Sequence, residues 1–120
     1  MATVLLVEDD ELLRELLAHQ LEAEGFDVLQ AEDGQNAQSI TADFDAVLCD
    51  LVMPNMDGID FVRWLKNRRP EANVVILSGE DRPDIKESLE ALGVNDFFHK
   101  PLSIQPLDTL AQRLRSLTNG

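Results

Sequence analysis

Four short, mostly apolar runs in this chain each stop at a polar residue, and longer amphipathic stretches separate them. Thr3 to Val7 runs into Glu8-Asp9-Asp10, and Asp45 to Cys49 runs into Asp50. Val74 to Leu77 meets Ser78-Gly79, and Asp96 to His99 meets Lys100-Pro101. Runs of this length and continuity read as strands buried on both faces. When helices intervene, such strands must be joined by right-handed crossovers, which gives a mostly parallel sheet with helices on both sides.

The intervening stretches have the helical period. Leu12, Leu13, Leu16, Leu17 and Leu21 recur at three- and four-residue spacing through Ala23; the acidic start suits the helix dipole, and Gly25 can close the helix. A weaker strand, interrupted by Asp27 and Gln30, covers Phe26 to Ala31, and a short helix covers Gly34 to about Ile40. From Ile59, the residues Phe61, Val62 and Leu65 mark one face of a helix that carries Lys66, Arg68 and Arg69 near its end and stops at Pro70. Pro83 opens the next helix, with Ile85, Leu89 and Leu92 on one face and Gly93 at its close. Leu107, Leu110, Ala111, Leu114 and Leu117 form the stripe of the last.

The expected fold is α/β: one domain over residues 1–120, a three-layer α/β/α sandwich around a five-stranded parallel sheet. With strand order 2-1-3-4-5 the topological switch point lies between the first and third strands, and ligands bind there, outside the carboxyl ends. Glu8, Asp9, Asp50, Ser78 and Lys100 would all project from that edge.

A length of 120 residues allows a single hydrophobic core. Ten Lys plus Arg against 23 Asp plus Glu give a net charge of −13, which repels phosphate backbones and argues against direct nucleic-acid binding. Cys49 is the only cysteine, so there is no internal disulfide and a reducing compartment suits the chain. No apolar stretch approaches the length of a membrane span, and Val4 to Val7 is too short for a signal-peptide core. A cytoplasmic protein without a membrane partner is expected.

Three carboxylates within a few ångströms of one another raise each other's pKa, and a divalent cation relieves the conflict. Magnesium, bound through one or two carboxylates plus waters and phosphate oxygens, matches this cluster in size and hardness. Lys100 could pair with Asp50 and then with a phosphoryl oxygen. Ser78 adds a hydroxyl, and Gly79 leaves room beside it. A carboxylate in that company is a nucleophile for phosphoryl transfer, and the product would be an aspartyl phosphate at Asp50. His19 and His99 have no partner at metal-ligand spacing. Arg63, Lys66, Arg68 and Arg69 read as a helix-end charge cluster.

In Leu5-Leu6-Val7-Glu8-Asp9-Asp10, Asp50 through Gly58, Leu77-Ser78-Gly79 and Phe97-Phe98-His99-Lys100-Pro101, the chain resembles the receiver domain of two-component response regulators over nearly its whole length. The resemblance implies the flavodoxin-like, receiver-type version of the expected fold. It makes Glu8 and Asp9 the acidic pair, with Asp9 a direct metal ligand and Glu8 acting through water. Asp50 becomes the phosphoacceptor and second ligand, and Val52 offers its backbone carbonyl to Mg²⁺, with Mn²⁺ as a substitute. Ser78 and Lys100 contact the phosphoryl group, and the Lys100-Pro101 bond is cis. Phe97 takes the place of the aromatic that changes rotamer when Ser78 is drawn to the phosphate; without the hydroxyl of the more common Tyr, that switch is steric. Asp10 makes a second acidic pair available, but Glu8-Asp9 is preferred because it directly follows the strand, leaving Asp10 to begin the helix.

Val52 and Glu80 occupy the positions that tune dephosphorylation in the family, and an apolar Val52 cannot orient an attacking water. The implied partners are a sensor histidine kinase or histidine phosphotransfer protein, docking near Leu12, Leu13 and Pro101, and a downstream output domain or protein. The face built from the fourth helix, fifth strand and fifth helix would carry the signal and could form a homodimer, with Lys86, Glu87, Glu90, Arg113 and Arg115 as its exposed charges. Nothing after the last helix resembles an output unit. Two other functions fit these residues less well. A flavin or nucleotide module of flavodoxin type needs a phosphate-cradling loop where this chain has three acids. An aspartyl phosphohydrolase needs a second acid two residues past the nucleophile, where this chain has Val52.

Overall fold

The computed structural model describes residues 2–51, 58–79, 83–99 and 104–119, without the side chains of 104–107 and 119. Five strands and five helices alternate along it: β1 (Thr3–Val7), α1 (Glu11–Ala23), β2 (Asp27–Ala31), α2 (Gly34–Gln38), β3 (Ala46–Asp50), α3 (Gly58–Arg68), β4 (Asn73–Ser78), α4 (Pro83–Ala91), β5 (Asp96–His99) and α5 (Ile104–Asn119). The strands pair in the order β2-β1-β3-β4-β5, and every pairing is parallel. Fold class and strand order are those predicted.

Side chains alternate across a strand, so the sheet sorts its own residues into two cores. Leu5, Val7, Val47, Cys49 and Ile76 pack with Phe61, Val62 and Leu65 of α3 and Leu89 of α4. Val4, Leu6, Leu48, Val75 and Leu77 pack on the opposite face with Leu17 and Leu21 of α1 and Leu110 and Leu114 of α5. The central strand β3 is buried at every position, whereas β5 at the edge is half-buried.

Local chemistry sets the element ends. The Asp10 carboxylate accepts from the Leu13 amide at 3.2 Å and caps α1; Asp33 does the same for Asn36 at 2.8 Å at the start of α2. Gly25 and Gly93, at φ 96° and 90°, make the left-handed turns after α1 and α4. The Lys66 ammonium donates to the Ala72 carbonyl at 2.7 Å and the Pro70 carbonyl at 3.3 Å, tying the end of α3 to the approach to β4.

The structure moves several predicted boundaries. Phe26 lies outside β2 because its amide donates back to the Leu21 carbonyl at 3.1 Å and completes the turn that ends α1. α2 stops at Gln38, two residues short of Ile40. β3 begins at Ala46 and takes in Asp50; Asp45 instead directs its carboxylate to the Thr3 amide at 2.8 Å. The leucine stripe of α1 is also narrower than its spacing suggested. Leu17, Ala18 and Leu21 are buried and Leu13 is half-buried, but Leu12 and Leu16 are 79% and 54% exposed. Each sits one residue, about 100° of helix rotation, away from the buried line.

Two adjacent leucines therefore provide a test. Leu17→Ala should cost about 2–5 kcal/mol in urea unfolding, whereas Leu16→Ala should stay within about 0.5 kcal/mol of the parent. Equal effects would mean that the packing face of α1 is misassigned.

Candidate acidic site at the carboxyl edge of the sheet

Strand register brings the acids together. β1 pairs Val7 with Cys49 of β3, so the next residues along, Glu8 and Asp50, leave the sheet side by side. The Glu8 amide extends the ladder, donating to the Ala31 carbonyl of β2 at 3.1 Å. Alternation then points both side chains toward the side occupied by Leu6 and Leu48. Glu8 is 1% exposed and Asp50 6%, while Asp9 is exposed.

One carboxylate oxygen from each of Glu8, Asp9 and Asp50 lies within 4.8 Å of the others. Like charges this close, two of them on buried residues, favour any group that can neutralise them. The donor set is oxygen alone, with no thiolate or imidazole, which is the chemistry of a hard divalent cation rather than zinc or copper. These residues thus fit the ion that the resemblance implies. The acids brought to Asp50 are Glu8 and Asp9; Asp10 is committed to capping α1.

Ser78 is the last residue of β4, buried, one register step beyond the Leu77 that pairs with Asp50. It therefore stands at the same edge. Phe97 is half-buried in β5 and packs against the α3 and α4 side of the core, with the Lys86 ammonium 5.3 Å from its ring centroid. Val52, Glu80, Lys100 and Pro101 lie outside the described residues, as does the Lys100-Pro101 bond. His19 and His99 are exposed.

Two residues near the acids escaped the sequence reading. Gly58 opens α3, and its amide donates to the Leu51 carbonyl at 2.8 Å. A Cβ there would collide with the Asp50 carbonyl oxygen and lie 2.8 Å from the Leu51 Cα, so the helix presses directly on the backbone that carries Asp50. The second is Arg14, whose guanidinium donates to the Glu8 carbonyl at 2.9 Å. The signal at Gly58 was the Asp57-Gly58 step before a helix; Arg14 gave none, because its target lies in the turn that precedes its own helix.

Comparison with known proteins bears on the family and the fold. Residues 4–112 match the family model for the response regulator receiver domain. A cyclic di-GMP phosphodiesterase of Thermotoga maritima is 34% identical over 105 residues, 88% of this chain and 28% of that protein. The cell cycle transcriptional regulator CtrA of Caulobacter vibrioides is 35% identical over 100 residues, 82% of this chain and 43% of its own length. The chain spans less than half of either relative. Among solved structures, the receiver domain of the Francisella response regulator 1452 has a TM-score of 0.87 at 30% identity, covering 99% of this chain and 98% of its own.

The close approach at Gly58 carries its own test. Gly58→Ala must displace backbone on one side or the other, and it should lower stability by about 1–3 kcal/mol in denaturant titration. Full parental stability would show that α3 does not bear on the Asp50 backbone.

Proposed function

Given that this chain belongs to the response regulator receiver domain family, we propose that it is a phosphorylation-driven switch whose acceptor is Asp50. The observation that supports this most is the meeting of Glu8, Asp9 and Asp50 within 4.8 Å at the carboxyl edge of a parallel sheet. In this reading a carboxylate oxygen of Asp50 attacks the phosphorus of a phosphohistidine on a sensor kinase or histidine phosphotransfer protein. The phosphorus–nitrogen bond breaks and its electron pair stays with the imidazole. Glu8, Asp9 and Asp50, with the backbone carbonyl of Val52, would hold Mg²⁺ or, in its place, Mn²⁺. Bound there, the ion supplies positive charge against the phosphoryl oxygens. The Ser78 hydroxyl and the Lys100 ammonium are assigned to the same oxygens as hydrogen-bond donors. The domain accepts one phosphoryl group and releases it slowly, rather than turning over a substrate.

The donor's docking surface is assigned to the start of α1, where Leu12 is 79% exposed and Leu16 54%, beside the acidic turn. Phe97 is assigned to a steric response to Ser78, passed to the face made by α4, β5 and α5. On that face Arg113 of α5 grips Asp96 of β5 with two hydrogen bonds, 2.6 and 3.2 Å long. The hydrogen bond and then the charge of Asp96 raise the Arg113 pKa above its ordinary value. An output domain, a partner protein or a second copy would read this face. Among the described residues no helix is long and apolar enough to cross a membrane, and the reading places the domain in the cytoplasm.

Intact-mass measurement after incubation with a small phosphodonor is the direct test. The parent should gain a single phosphoryl increment in Mg²⁺ and none in chelator, and Asp50→Asn should gain none. Equal labelling of Asp50→Asn would overturn the assignment. Leu12→Glu should leave that small-molecule reaction unchanged and slow transfer from a protein donor at least several-fold. Val52→Asn should shorten the lifetime of the phosphorylated form, since an amide there can orient water where Val52 cannot; Glu80 is the second position assigned to this tuning.

A further inference from the structure

Arg14 lies on the second turn of α1, yet its side chain reaches back to the turn that precedes the helix. Its guanidinium donates to the Glu8 carbonyl at 2.9 Å in a part-buried setting, and its own amide donates to the Asp10 carbonyl at 2.8 Å. One residue thus holds the carbonyls at both ends of the Glu8-Asp9-Asp10 turn. The turn is also fastened by the Glu8 amide on the Ala31 carbonyl at 3.1 Å and the Asp10 carboxylate on the Leu13 amide at 3.2 Å. These act at the ends of the turn, and the Arg14 guanidinium acts on the peptide plane between Glu8 and Asp9 through the Glu8 oxygen.

That plane matters because it joins the two Cα atoms that carry two of the three clustered carboxylates. Its rotation would swing the Glu8 and Asp9 side chains relative to each other, and so relative to Asp50. A charge-assisted bond from a planar guanidinium is a strong way to hold it. We propose that Arg14 is the positioning residue of the acidic site: through the Glu8 carbonyl it holds Glu8 and Asp9 in the arrangement that binds a divalent cation. This rests on the reading of Glu8, Asp9 and Asp50 as a metal site and adds a residue that touches neither the ion nor the phosphoryl group.

Two effects of Arg14 on the ion have opposite signs, which makes the assignment testable. As a bare positive charge near the site, Arg14 repels a cation, and removing it would tighten binding. As a positioning group it prepays the ordering of the turn, and removing it loosens binding; outer contacts of this kind are typically worth 10–100-fold in metal affinity.

The experiment measures thermal midpoints of the parent, Arg14→Ala, Arg14→Gln and Arg14→Lys across a MgCl₂ series, with ionic strength matched by NaCl. The rise of the midpoint with Mg²⁺ gives the dissociation constant, and the chelator baseline reports any loss of fold by itself. Arg14→Ala and Arg14→Gln should bind Mg²⁺ roughly tenfold more weakly, with Arg14→Lys recovering part of the loss. The deficit should persist at high salt, where a long-range charge effect would fade. Mg²⁺ binding by Arg14→Gln as tight as the parent's, or tighter, overturns the proposal. Should Arg14→Ala fail to fold, Arg14→Gln and Arg14→Lys decide the matter. A parent midpoint that ignores Mg²⁺ would instead overturn the metal-site reading on which the proposal rests.

Discussion

Side-by-side parallel pairing of β1 and β3 leaves Glu8 and Asp50 with little freedom to separate. The register that pairs Val7 with Cys49 is held by apolar side chains on both faces of the sheet, and a one-residue slip would turn every one of them to the wrong side. The core therefore fixes the acids against their mutual repulsion. A protein can keep two buried carboxylates and a third at the rim in contact only if something else neutralises them, because each uncompensated buried charge costs several kcal/mol. A divalent cation that reaches this edge of the sheet relieves the repulsion among the three carboxylates.

What holds the acids is distributed over elements distant in sequence. β2 contributes the Ala31 carbonyl to Glu8, α1 contributes Arg14 to the same residue, and α3 brings Gly58 against the Asp50 backbone. Three layers of the sandwich thus meet around a few residues. Preorganisation of this kind is what lets a small set of side chains act without a large ordering cost when a ligand binds.

The sequence was most informative where a residue's role depends on its immediate neighbours. Continuous apolar runs in β1, β3 and β4 mark strands buried on both faces, and right-handed crossovers put the polar residues that end them, Glu8, Asp50 and Ser78, at one edge. It was least informative where a role depends on something far along the chain. Leu12 and Leu16 have the same spacing as Leu13 and Leu17, and only the sheet beneath α1 decides which pair turns toward it. Phe26 has the composition of a strand residue but is held by a bond to Leu21 that no local pattern reveals. The constraint on Gly58 comes from the carbonyl of Asp50, eight positions earlier, folded back against it.

Charge and shape divide the work of recognition on this surface. With a net charge of −13 the domain draws divalent cations toward its acidic edge and repels anionic groups at long range, an effect that weakens as salt is added. The phosphorylated donor of the proposed function would approach against that field unless its own surface is basic around the phosphate. Short-range apolar contact is therefore the more dependable source of affinity beside the site, and the exposed Leu12 and Leu16, one helical turn apart on α1, offer it. These two leucines contribute nothing to the sheet's core, yet they stand on the helix whose capping residue, Asp10, belongs to the acidic turn. Under the proposed function, a helix anchored to the core by Leu17 and Leu21 would present an apolar strip to the donor protein beside a fixed acid cluster.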